Sequence, residues 1–116
     1  VSIAGDIAAA VAFTGYPVHQ VSYDGDADTY FVVNMNAIPT NYADDAPQHD
    51  RWLIQLHLFA PFTLNTTAIR RQIRDALFGA GFSYPHLVDA SETTRSTDGT
   101  EQHIVFEFEA VEGIDV

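Results

Sequence analysis

The chain has 116 residues, 47% of them apolar, with sixteen carboxylates against five arginines, no lysine and no cysteine. That length and apolar content suit one domain with one core. The missing cysteine excludes disulfides and thiolate metal sites and fits a reducing compartment, while a net charge of −11 argues against a grip on nucleic acid, which needs clustered Lys and Arg.

Val1 to Phe13 is apolar but carries Asp6 and no basic n-region, so it reads as a helix and not as a signal peptide. Ile3, Ile7, Ala10 and Val11 recur at helical spacing, Ser2 offers an N-cap, and Gly15 with Pro17 stops the segment near Phe13. Val18 to Tyr23 and Thr29 to Asn34 are strand-like, and Asp24-Gly25-Asp26 between them signals a hairpin turn. Asn36 to Arg51 loses all periodicity. It holds Pro39, Pro47, Tyr42 and the pair Asp44-Asp45, and reads as a long loop of the functional or mobile kind.

Trp52 to Phe59 alternates: Trp52, Ile54, Leu56 and Leu58 face one side, and Leu53, Gln55, His57 and Phe59 the other. Pro61 closes that strand. Asn65, Thr66 and Thr67 offer an N-cap, and Ile69, Ile73, Ala76, Leu77 and Ala80 form one helical stripe with Arg70, Arg71 and Arg74 off it, facing water or a neighbour. Gly79 or Gly81 supplies the stop, with Phe82 packing back. His86 to Thr94 and His103 to Ala110 flank a turn at 96–100. In the last strand Ile104, Phe106, Phe108 and Ala110 point inward. The tail after Val111 reads as frayed. No apolar run approaches the roughly 20 residues of a membrane-spanning helix. The expected fold is α+β: a mostly antiparallel sheet of about five strands with two helices packed on one face, one domain over 1–116.

Chemistry-bearing patterns are weak. His19, His49, His57, His86 and His103 show no zinc-enzyme spacing, although His57 and His103 fall on one sheet face. No nucleophile elbow is present, and Gly79-Ala80-Gly81 follows a helix where a phosphate cradle must precede one. The residues point to no catalytic, cofactor-binding or metal-binding set. Arg70, Arg71 and Arg74, three of the five cations in the chain, are either internal salt-bridge partners or the receiving side of an acidic neighbour, and Tyr42 beside Asp44 and Asp45 has the composition of a contact. These six are the candidate subunit-interface residues.

The order of segments resembles the tail completion, or tail terminator, proteins of long-tailed phages and prophages, which join head to tail. The resemblance runs over roughly residues 3 to 110. It is carried by Asp28 to Val33, Tyr42-Ala43-Asp44-Asp45, Ile54 to Phe59, Ile69 to Leu77, Ala80 to Pro85 and His103 to Phe108. The lack of lysine and the Ser/Thr-rich approach to the last turn depart from it in composition. The resemblance implies an α+β fold and a non-enzymatic role without cofactor. It implies a homo-oligomeric ring, commonly hexameric, that caps the tail tube, stops its polymerisation and meets the head connector. The implied partners are further copies of the chain, the tail tube protein and the head–tail connector protein. DNA passes through the lumen without specific binding, and no membrane is involved. The implied location is the head-proximal end of the virion tail, and the host cytoplasm during assembly. The competing expectations are a cytosolic module that binds a peptide at an open sheet edge, and a small enzyme with a cleft of converging polar groups.

Overall fold

Period-two alternation puts two strands at the centre of the molecule. The computed structural model describes residues 2–20, 28–43, 46–91 and 101–113, with 38–43, 46–50 and 111–113 described as backbone. The elements run α1 (Ile3–Val11), a 3-10 turn (Ala12–Thr14), β1 (Val18–Gln20), β2 (Tyr30–Ala43), β3 (Ala46–Pro61), α2 (Thr67–Gly79), β4 (His86–Asp89) and β5 (Glu101–Gly113). They form one five-stranded sheet in the order β1-β2-β3-β5-β4. All neighbours are antiparallel except β1 and β2.

The inward residues of β3 lie opposite those of β5, with Ile54 facing Phe108, Leu56 facing Phe106 and Leu58 facing Ile104. Ile7 and Val11 of α1 and Ile73 and Leu77 of α2 join the same buried cluster, so both helices cover one sheet face, as the apolar stripes require. Ile73 and Leu77 are fully buried. Each contributes roughly 1.5–3 kcal/mol of gross transfer free energy, which is what makes a short helix worth forming.

The helix ends are set by local chemistry. The Ser2 hydroxyl accepts from the Gly5 amide at 2.9 Å at the start of α1, and Gly15 ends the following turn at φ 76°. At the start of α2 the capping oxygen is Asn65 Oδ1, which accepts from the Thr67 amide at 3.0 Å. At its end the Gly81 amide bonds the Phe78 carbonyl and the Phe82 amide bonds the Leu77 carbonyl. This is a Schellman closure, and the φ of 104° at Gly81 is the left-handed value that a side chain resists. Phe82 turns back into the core against Phe108.

Three expectations need correction. β1 does not form a hairpin with β2. It pairs parallel, Val18 beside Phe31 and Gln20 beside Val33. Only three residues pair, so the return path is short enough for the chain between Gln20 and Tyr30. The turn signal at 24–26 lies outside the described residues.

Residues 36–43 and 46–51 are strand, not loop. β2 and β3 continue as paired strands to Ala43 opposite Ala46, and β5 follows β3 as far as Gly113 opposite His49. The result is a three-stranded arm on a molecule 54 Å long and 26 by 23 Å across. Pro39 and Pro47 misled the reading because they remove a ladder donor, which a strand tolerates only at an open edge. Among the described residues β1 pairs β2 only at Phe31–Val33, and β5 meets β3 only from His49 onward, so both prolines sit on open edges. The same pairing corrects the third expectation: Val111, Glu112 and Gly113 are strand, not frayed tail.

Candidate functional site

The arginines of α2 do two different things. Arg70 donates from Nε to the Thr66 hydroxyl at 2.9 Å and from Nη2 to Gln102 Oε1 at 3.3 Å. Arg74 donates to the Pro85 carbonyl at 3.0 Å and lies 4.8 Å from the centre of the Tyr84 ring. Both therefore hold their own chain and do not simply face water. Arg71 is the most outward-facing arginine of α2: its side chain is 81% exposed, and its 3.9 Å contact with Asp75 is a surface pair of little energetic weight.

Arg70 borders a cleft of about 800 Å³ at the start of α2, lined also by Asn65, Thr66, Asp89, Ser91 and Gln102. Gln102 is its hub. It occupies an inward position of β5, accepts from Thr66 at 2.9 Å, and donates to the carbonyls of Pro61 and Leu64, both at 2.8 Å. A buried amide this well satisfied pins the β3–α2 connection. Sequence reading passed over it. The available signal was a lone polar residue in register with Ile104, Phe106 and Phe108. Asp89 lies below the ordinary carboxylate range because the Ser91 hydroxyl, at 2.6 Å, and amide, at 3.0 Å, donate to it. Ser91 also accepts from the His103 amide at 3.0 Å, which ties the end of β4 to β5.

The sheet face away from the helices carries a second group. Tyr30 stacks on Phe59 at 5.1 Å between ring centres, and Phe59 stacks on His103 at 4.3 Å. His57 Nδ1 stands 2.7 Å from His103 Nε2, and Asn34 Nδ2 stands 3.2 Å from His57 Nε2. Burial lowers the pKa of His57, partly offset by Glu107. Burial and the facing His57 lower that of His103, partly offset by Asp89. The two histidines thus meet on one face, as their sequence positions suggested. Among the described residues no three His, Asp or Glu side chains converge to hold a metal ion. A further groove runs over this face, lined by Asn34, Asn36, Leu53, Gln55, Glu107 and Glu109. Within it Gln55 donates to Glu107 at 3.1 Å, and Glu109 pairs with Arg51 beside it at 3.3 Å.

Among the described candidate interface residues, Tyr42 is not brought near the three arginines within one copy. Tyr42 lies near the tip of the arm, opposite Pro47. Asp44 and Asp45 lie outside the described residues. Arg70 is bonded to Gln102, which pairs with Ala60 at the far end of the sheet. At about 3.3 Å per residue, the thirteen strand positions between these rows separate the arm tip from Arg70 by roughly 40 Å.

The described molecule is thus a two-layer α+β protein with one helix-covered sheet face and an elongated three-stranded arm. No protein-family model matches the chain, and no curated protein is detectably similar to it in sequence.

Proposed function

We propose that this protein is a structural component of a long-tailed phage or prophage tail. In this reading it forms a ring at the head-proximal end of the tube, stops tube polymerisation and presents a surface to the head connector. The role is mechanical, with no bond made or broken and no cofactor. The ordered resemblance described above motivates it.

One observation supports it most. The tip of the arm lies at one end of the sheet, and the arginine-bearing start of α2 lies at the other. Ring closure uses a heterologous interface, in which each copy offers two different patches to two neighbours. Patches roughly 40 Å apart cannot satisfy each other within one copy. β2 carries no charged residue over its 14 positions, so copies of net charge −11 can approach along it without direct like-charge contact.

The test is light scattering across concentrations, with negative-stain microscopy of the protein mixed with tail tubes. Rings at high concentration, or caps on tube ends, are the expected result. Arg71→Glu should weaken assembly by at least about tenfold, a loss of roughly 1.4 kcal/mol, with an unchanged melting curve. A chain that stays monomeric throughout and ignores tube ends refutes the reading. Protection of β2 amides by an added extended peptide would instead favour strand addition to a foreign partner.

A further inference from the structure

We propose that His57 and His103 form an acid-sensitive latch, which ties β2, β3 and β5 together across the helix-free sheet face and opens when both rings are protonated. The proposal stands on geometry and does not depend on the tail reading.

Asn34 Nδ2 donates to His57 Nε2, so the proton of the neutral His57 ring sits on Nδ1 and is donated to His103 Nε2. The His103 proton then sits on Nδ1. One chain of hydrogen bonds therefore runs from β2 through β3 to β5. Its direction is set by which nitrogens carry protons.

A first added proton can be absorbed. If His103 carries protons on both nitrogens, His57 shifts its own proton to Nε2 and accepts at Nδ1. Asn34 then turns its amide so that Oδ1 accepts. The chain survives with its direction reversed. A second proton leaves no acceptor between the rings: two N–H groups face each other at the 2.7 Å position, on cations whose ring centres are 5.0 Å apart. Half-burial deprives both cations of water, and the stack of Phe59 on His103 holds that ring in place. The bond between β3 and β5 on this face must then break.

The charged and titratable groups that share the face, among the described residues, are few. β1 brings His19, in the row of Val32 and His57. β2 brings none. On β3, Arg51 lies three alternate positions along from His57 and is engaged with Glu109. β4 brings His86; Asp89 at its end lies opposite Ile104 on the other face and favours charge on His103 from there. β5 brings Glu101, Glu107 and Glu109, of which Glu107 favours charge on His57. These carboxylates support one cation on the pair, and they reinforce the two-step character of the device.

The experiment is an NMR titration of the imidazole carbon-bound protons from about pH 8 to about pH 4, run with amide-exchange protection factors over the same range. The wild-type protein should show two apparent midpoints more than about one pH unit apart, both below the ordinary histidine value of about 6.5. Protection of β3 and β5 amides near the pair should fall at least tenfold through the lower midpoint. His103→Phe keeps a ring on Phe59 and removes the acceptor, so His57 should titrate in one step and the acid-linked fall in protection should vanish. His57→Gln serves the same purpose if the first variant does not fold. Both rings titrating together near 6.5, or wild-type protection that does not change with acid, overturns the proposal.

Discussion

The body and the arm use the same three strands but are held by different forces. In the body β2, β3 and β5 present alternating apolar residues to α1 and α2, and Phe31, Leu56 and Phe106 are fully buried. In the arm the same strands pair beyond the rows of Met35 and Ile54, through a stretch with two prolines and no apolar alternation. Alternation is a record of one-sided burial, not of strand pairing. Where no helix covers a face, the backbone ladder alone carries the strand, and the pattern that announces strands disappears.

The sharpest way to break that contrast is to cut into the body. Phe106→Ala should destabilise the protein by about 3–5 kcal/mol, read as a lower urea midpoint at unchanged slope. A loss within 1 kcal/mol would mean that β5 is not a central core strand. Gln102→Leu should cost about 1–3 kcal/mol, because the Pro61 and Leu64 carbonyls lose their donor and Thr66 its acceptor. Chemical shifts of residues 61–66 should move more than those of α1, and the reverse would assign the connection to other contacts. The smallest effect belongs to the arm. Replacing residues 38–51 by Asn-Gly, which suits a two-residue hairpin turn, should change body stability by no more than about 1 kcal/mol while abolishing self-association. Undiminished assembly in that variant would move the interface off the arm.

Acid sharpens the same comparison, because the histidine pair belongs to the body. Both rings have folded-state pKa values below the ordinary value. Between those values and about 6.5 the unfolded chain binds more protons than the folded one, so stability rises with pH there. The pair's contribution is whole above about pH 6.5 and is lost as pH falls towards the folded-state values.

Much of the body was legible in the residues. The faces of β3 and β5, the buried stripe of α2 through Ile73 and Leu77, and the glycine stop before Phe82 all follow from short-range periodicity and backbone preference. The roles of Arg70 and Arg74 were not. Their place off the stripe suggested solvent or a neighbour, yet their partners, Thr66, Gln102 and Pro85, come together only when the β3–α2 connection and the turn before β4 fold against the helix.

The residue pattern alone determined the class of fold and the identity of the core, because burial imposes a period on the strand and the helix that needs no knowledge of partners. Only the tertiary structure decided that β1 runs parallel to β2, that 36–43 and 46–51 form an arm, and that His57 meets His103 at hydrogen-bonding distance. Those outcomes depend on which strands become neighbours and in what register. Contacts between residues distant in the chain set that choice, and local periodicity carries no information about it.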